Sequence, residues 1–322
     1  MNKFIDLCAG IGGFRLGFEK FNNKCILTSE IDKFCKTTYL SNFEEKDFNT
    51  DIKKLDEKLI NNFNILCAGF PCQAFSLAGK QKGFSDIRGT IFFDIERILK
   101  EKRPEIFLLE NVKNLKSHDK GNTFKVITEH LDNLNYWYAD FLINAEFFVP
   151  QRRERIYIIG LDKNKFSEDE FNAVVSNINK AYEDKKNKPK PCIKDILDEK
   201  VNEKYTLSDK LWSFLQAHAN KHKNKGNGFG FGLIDPNLDK TTRTITARYY
   251  KDGSEILIKQ ENKNPRKLTP RECARLMGYP EEFKIVVSDT QAYKQFGNSV
   301  VVPVIELFSK ILTDALNNKK CQ

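Results

Sequence analysis

The chain has 322 residues and a formal net charge of +9. That length holds one large core plus a smaller domain, and the charge favours a polyanionic partner. Eight cysteines without a Cys-x-x-Cys pair argue against a zinc site or a disulfide scaffold, and the absence of a signal peptide or an apolar run of about 18 residues leads to the expectation of a cytoplasmic protein with no membrane partner.

In chain order, residues 3–7 read as a strand, followed by Ala9-Gly10-Ile11-Gly12-Gly13 and a helical pattern through Phe14, Leu16, Gly17, Phe18 and Phe21. Strand, glycine turn, helix is the layout of a nucleotide-type cofactor site, since glycine lets the backbone approach a ligand closely. The spacing is neither the dinucleotide G-x-G-x-x-G nor a P-loop. A second strand, residues 25–29, ends at Glu30, where a carboxylate can hold ribose hydroxyls. The apolar run 63–68 reads as a buried strand that delivers Gly69-Phe70-Pro71-Cys72 at its end. A lone cysteine is usually a small buried hydrophobe; one held in a Gly/Pro turn just past a strand stands where α/β enzymes carry reactive groups.

Residues 106–109 form another buried-strand run with Glu110 at its C-terminal end, the same sheet edge as Cys72. A carboxyl between apolar walls should have a raised pKa and be able to donate a proton. Gln151-Arg152-Arg153-Glu154-Arg155 runs into the strand 156–160, so Arg153 and Arg155 are expected to point inward, where a guanidinium needs an acceptor. Helices are predicted over 33–43, 92–102 and 123–133. Strands and helices alternate up to Leu161, which predicts an α/β fold with a doubly wound, mostly parallel sheet.

Helical patterns follow over 168–186 and 210–222, separated by the Lys/Pro-rich stretch 186–191. Residues 224–232 are glycine-rich, and 241–258 contain strand-like runs split at Asp252-Gly253. An amphipathic helix over 303–316 closes the chain. The predicted organisation is a catalytic and cofactor-binding domain 1–185, a smaller mixed domain 186–289, and a return to the first domain over 290–322. From residue 180 to 267 there are 20 Lys/Arg and 12 Asp/Glu, so this stretch carries +8 of the total +9. His218 and His222 have i,i+4 spacing but flank a Lys/Asn run, which reads as a solvated helix end and not a metal site.

Taken together, Asp6-Leu7-Cys8-Ala9-Gly10-Ile11-Gly12-Gly13-Phe14, Gly69-Phe70-Pro71-Cys72-Gln73, Glu110-Asn111-Val112, Gln151-Arg152-Arg153-Glu154-Arg155, the stretch from Arg266 to Pro280, and Gln295-Phe296-Gly297-Asn298-Ser299-Val300 resemble the ordered motifs of the DNA (cytosine-5-) methyltransferases. The resemblance covers essentially the whole chain. It implies S-adenosylmethionine as cofactor, in a Rossmann-like methyltransferase domain, and double-stranded DNA as partner, with a companion restriction endonuclease and monomeric action as further expectations. It implies that Cys72 attacks carbon 6 of a cytosine, making carbon 5 nucleophilic enough to accept a methyl group. Glu110 is then the acid toward ring nitrogen 3, and Arg153 and Arg155 lie beside the base, serving the carbonyl at position 2. The base must leave the duplex to be reached, and the stretch 76–89 is the natural lid.

By the same resemblance Cys8, Gly10, Ile11, Gly12, Gly13, Glu30, Ile31, Asp51, Ile52, Pro71, Asn298, Ser299 and Val300 bind the cofactor. The family often has aromatics where Cys8 and Ile31 stand, so adenine stacking is either weaker here or supplied by another ring. Gln73, Ser76, Lys80, Arg88, Arg243, Arg248, Tyr249 and Lys251 are the expected DNA contacts. Residues 225–232 and 243–258 look like the target recognition domain of Dcm-type enzymes, which act on the inner cytosine of CC(A/T)GG or CCNGG; Arg and Lys suit guanine edges. A relative acting on transfer RNA would share Cys72 and Glu110 but needs no extended duplex-reading domain, and the basic segment argues against it. Intact Cys72, Glu110 and Arg155 argue against a binding-only protein.

Overall fold

The computed structural model describes residues 1–45, 48–49, 51–71, 91–226 and 230–320. Two compact units divide the chain. The first comprises Met1–Ile143, Glu154–Asp184 and Val304–Gln322; the second comprises Asn144–Arg153 and Lys185–Pro303. The expected domains therefore differ from these units in two places. Residues 144–153 cluster with the second unit, where the backbone of Pro150 to Arg152 pairs with Thr242. The return to the first unit comes at Val304, and Phe308 just beyond it packs on Phe141 and Tyr157 of that unit.

The first unit is built on a seven-stranded sheet of order β3-β2-β1-β4-β5-β7-β6. Its strands are β1 (Asn2–Leu7), β2 (Asn23–Ser29), β3 (Phe48–Asn49), β4 (Ile65–Gly69), β5 (Ile106–Val112), β6 (Tyr136–Asn144) and β7 (Glu154–Asp162). β3, β2, β1, β4 and β5 pair in parallel, and β7 runs antiparallel to β5. Strand order reverses at β1, so the loops after β1 and β4 diverge from a topological switch point. Ile65 to Ala68 and Ile106 to Leu109 are fully buried, as strands covered on both faces must be.

Helices flank these strands: α1 (Gly13–Glu19), α2 (Lys33–Asn42), α3 (Ile91–Lys102), α4 (Asn122–Asn133), α5 (Glu168–Lys186) and, at the end, α9 (Val302–Lys320). α3 shows why they dock. Phe92, Ile95, Ile98 and Leu99 recur on one helical face and are fully buried, each worth about 1.5–3 kcal/mol. Asp32 caps α2 by accepting from the Phe34 and Cys35 amides. Phe308 of α9 packs on Tyr157 and Phe141, tying the chain's end to this sheet.

The second unit is less regular. It contains α6 (Asp209–Asn224), α7 (Pro270–Leu276), α8 (Asp289–Asn298) and a three-stranded sheet β10-β9-β8 made of β8 (Leu233–Ile234), β9 (Leu257–Gln260) and β10 (Lys263–Arg266). Thr269 and Glu272 form a capping box at α7, and Glu272 also takes both guanidinium nitrogens of buried Arg266 at 2.8 Å. The strand-like stretch 241–258 is irregular up to 246 and turns over 247–252 and 254–255; only its last residues join β9. The β-branched and aromatic residues there are fixed by turns instead. Gly253 has φ +68°, and the Asp252 carboxylate accepts from the Ser254 amide.

Candidate active site

The loop after β1 has the backbone that its glycines predict. Gly10 has φ +55° and open space where a side chain would stand. Gly12 has φ +87°, and a Cβ there would meet the Phe43 ring at 2.3 Å. Glu30, just past β2, closes the loop: its carboxylate accepts from the Gly10 amide at 2.8 Å and from the Asp32 amide at 2.7 Å. Burial raises the Glu30 pKa, and those amides oppose the rise. Gly13 opens α1, and Ile11 in the loop is buried; Ile52 is buried in the core of the first unit.

Asp51 caps a short turn by accepting from the Lys53 amide. Ile31 is 75% exposed, an apolar side chain left at the surface next to Glu30. Cys8 takes φ 53°, and burial, reinforced by Glu30, pushes its thiol up to about 12.

Asp6 was not singled out from the sequence, although it begins the glycine motif. Its carboxyl is fully buried with no hydrogen-bond partner, and burial raises its pKa well above the usual carboxylate range, against the pull of Arg15. An orphaned carboxyl behind an open glycine cradle is what a site built for a polar, donor-bearing group leaves in a structure without one. The cradle, Glu30 and Asp6 together fit a nucleoside-bearing cofactor with an amino-acid tail.

The second cluster lies where β4 and β5 end. Gly69 pairs with Glu110 in the parallel ladder, so the Pro71 turn and the Glu110 side chain emerge together. Asn111 donates from Nδ2 to the Phe70 carbonyl at 2.9 Å, fixing the turn that leads out of β4. Arg155 arrives because β7 runs back along β5, placing Val112 opposite Arg155. Its Nε lies 3.2 Å from Glu110 Oε1, in a largely buried pair.

Cys72, Gln73, Ser76, Lys80 and Arg88, and the expected lid over 76–89, lie outside the described residues. Six other cysteines do lie within them, Cys8, Cys25, Cys35, Cys67, Cys192 and Cys273. Burial raises the pKa of Cys8, Cys25, Cys35, Cys67 and Cys273, so these thiols stay protonated near neutrality.

Arg153 is placed differently from what alternation along a strand predicts. It belongs to the second unit and is 2% exposed. Its guanidinium donates to three backbone carbonyls, those of Ile245 (2.8 Å), Gly297 (3.0 Å) and Ser299 (2.8 Å). The chain ends its strand-like run before Glu154, where β7 begins, so the two arginines do not share one strand.

Tyr249 also requires correction. It is fully buried, donating from its hydroxyl to the Ile256 carbonyl and accepting from the Leu268 amide, so it is a core residue and not a DNA contact. Arg248 and Lys251 are exposed, and exposed Arg243 donates to the Gly230 carbonyl. Asn298, Ser299 and Val300 stand at the end of α8 in the second unit. His218 stacks on Phe214 along α6, and the His222 ring meets His218 at a tilt.

The family model described as C-5 cytosine-specific DNA methylase matches residues 2–313. The chain belongs to this family. It is 52% identical over 320 residues to the type II methyltransferase M1.ScrFI of Lactococcus lactis subsp. cremoris, covering 99% of this chain and 79% of that protein. It is 42% identical to the DNA-cytosine methyltransferase of Escherichia coli K12, covering 96% of this chain and 77% of that one. The fold is that of the S. pombe Dnmt2 methyltransferase crystal structure, with a TM-score of 0.76, 21% identity, and coverage of 98% of this chain and all of the other.

The protein is thus a C-5 cytosine-specific DNA methyltransferase, and its methyl donor is S-adenosylmethionine. Among the described residues no helix is long and apolar enough to cross a membrane.

Proposed function

We propose that this methyltransferase modifies carbon 5 of a cytosine flipped out of duplex DNA, at the inner cytosine of CC(A/T)GG or CCNGG. The observation that carries the chemistry is the Glu110–Arg155 pair at the end of β5, beside the Asn111-braced turn that leads to Cys72. S-adenosylmethionine supplies the electrophilic methyl group. Gly10 to Gly13, Glu30 and Asp6 would hold it, with Asp51 and Ile52 toward its adenine.

Cys72, as thiolate, attacks carbon 6 and loads electron density onto carbon 5. Glu110 hydrogen-bonds ring nitrogen 3 as charge builds there, and Arg155 orients Glu110 and serves the carbonyl at position 2. Once carbon 5 has taken the methyl group, its remaining proton passes to solvent, which expels the Cys72 thiolate from carbon 6 and restores the ring. A flipped base is required because carbons 5 and 6 are stacked and out of reach inside a duplex.

Target choice rests on the likeness of residues 225–232 and 243–258 to Dcm-type enzymes, with exposed Arg243, Arg248 and Lys251 offered to base edges and phosphates. The type II relatives support a companion endonuclease, and we read the enzyme as acting as a monomer. Bisulfite sequencing of DNA from cells expressing the protein tests base and context together. Methylation confined to GCGC, GGCC or bare CG contexts would reject the target assignment and leave the chemistry standing.

A further inference from the structure

Residues 150–153 are stitched into the second unit along one edge of the segment that carries Arg243 and Arg248. The Arg152 amide donates to the Thr242 carbonyl and the Thr242 amide to the Pro150 carbonyl, each at 2.9 Å, and Gln151 bridges Thr242 in parallel. Gln151 is fully buried; its Oε1 accepts from the Ile245 amide at 2.9 Å, and its Nε2 donates to the Leu276 carbonyl. Thr244 donates from its hydroxyl to the Arg152 carbonyl at 2.5 Å.

Arg153 then gathers Ile245 on one side and Gly297 and Ser299 on the other. Those two strips of backbone touch: a Cβ on Gly297 would lie 2.3 Å from the Thr246 carbonyl carbon and 2.4 Å from the Ala247 amide nitrogen. Both Ile245 backbone groups are therefore held by the same short motif, its amide by Gln151 and its carbonyl by Arg153.

We propose that Gln151 and Arg153 are positioning residues for sequence discrimination. They hold the backbone of residues 242–248 in one place, so that Arg243 and Arg248 are presented from a rigid base, and they lock that base to the last motif at Gly297 and Ser299. A guanidinium whose donors go to three carbonyls at 2.8–3.0 Å serves the protein's own backbone, not a base. Lysine keeps the charge and three donors, but they leave one nitrogen, whereas the three carbonyls are met from two separate guanidinium nitrogens, so lysine does not reproduce the fork. The inference rests on the proposed function for what Arg243 and Arg248 read, but not for the clamp itself.

The test uses the full-length protein with Arg153→Lys and, as a milder probe that removes only the Thr244 bond, Thr244→Val. Single-turnover methyl transfer is measured at saturating cofactor and duplex, on the site that bisulfite mapping identifies and on a duplex with one of its guanine pairs replaced. Hydrogen exchange of the Ile245 amide is followed in parallel.

For Arg153→Lys the rate on the target should stay within about threefold, while the preference over the altered duplex falls by roughly tenfold, the scale of one lost base contact. The Ile245 amide should exchange faster. Thr244→Val should shift both readouts the same way by a smaller factor, and it decides the matter if Arg153→Lys does not fold. A rate loss of the order of 10²–10⁴ with preference intact would make Arg153 part of the chemistry and overturn the proposal. So would unchanged preference and unchanged Ile245 exchange in a folded variant. If the wild type methylates no duplex cytosine, the proposed function fails while the exchange measurement still decides whether the clamp exists.

Discussion

Arg153 and Arg155 are two residues apart in one motif, yet they belong to different units and serve different partners. Arg155 is the second residue of a regular strand, is partly buried, and pairs with the Glu110 carboxylate. Arg153 precedes that strand, is almost wholly buried, and is spent on three backbone carbonyls. The difference shows how the two units are built. In the first, ladders fix the backbone and side chains at strand ends are left for chemistry. In the second, ladders are short, and buried side chains such as Arg153, Gln151, Tyr249 and Glu272 do the fixing.

The sharpest break between the units is at Cys72. Cys72→Ala should abolish methyl transfer while leaving duplex binding largely intact, and only the wild type should form a covalent complex with 5-fluorocytosine DNA. Substantial turnover by the alanine variant would falsify the mechanism. Next, Glu110→Gln should slow single-turnover transfer by roughly 10²–10⁴-fold with normal cofactor affinity; a near-normal rate would return Glu110 to a structural role.

In the second unit the effects should fall on binding. Arg243→Ala or Arg248→Ala, whichever reads a guanine, should cost about 1–3 kcal/mol and relax one position of the site. Lys223→Ala should instead weaken all sequences alike and flatten the salt dependence of binding. Tyr249→Phe should lower stability by about 1–3 kcal/mol, since its hydroxyl satisfies two buried backbone groups. It should leave sequence preference unchanged, and altered preference would reinstate Tyr249 as a DNA contact.

A smaller effect should separate the cofactor loop from everything else. The Asp6 pKa is raised in the folded protein, so its stabilising contribution is complete below the ordinary carboxylate range and is lost as pH rises through the raised value. Asp6→Asn should remove that decline from the thermal-stability profile of the cofactor-free protein. An unchanged profile would mean that Asp6 is ionised and paired.

The fold of the first unit was largely legible because buried parallel strands are continuous apolar runs broken by turn residues, as in Ile65–Gly69 before Phe70-Pro71. Glu110 and the glycine loop could be placed for the same reason: their positions follow from where such strands end. What escaped has physical causes too. β3 is a two-residue edge strand, and β6 is half exposed along much of its length, so neither carries a strong pattern. The stretch 241–256 has strand-forming residue types, but its neighbours are turns and buried side chains, not a ladder. Helix α7 carries its own start signal in Thr269, Pro270 at the first turn, and Glu272. The role of Arg153 was out of reach, since its acceptors lie about 90 and 145 residues downstream and are backbone atoms that any residue type supplies.

The central claim is that the two units divide labour, with cytosine-5 chemistry in the first and target choice in the second. Bisulfite sequencing of host DNA tests it most directly when done for the wild type, Cys72→Ala and Arg248→Ala in parallel. The wild type should modify the inner cytosine of CC(A/T)GG or CCNGG and Cys72→Ala none, while methylation should persist in Arg248→Ala and, if Arg248 is the guanine reader, spread to near-cognate sites. Residual cytosine methylation by Cys72→Ala would contradict it.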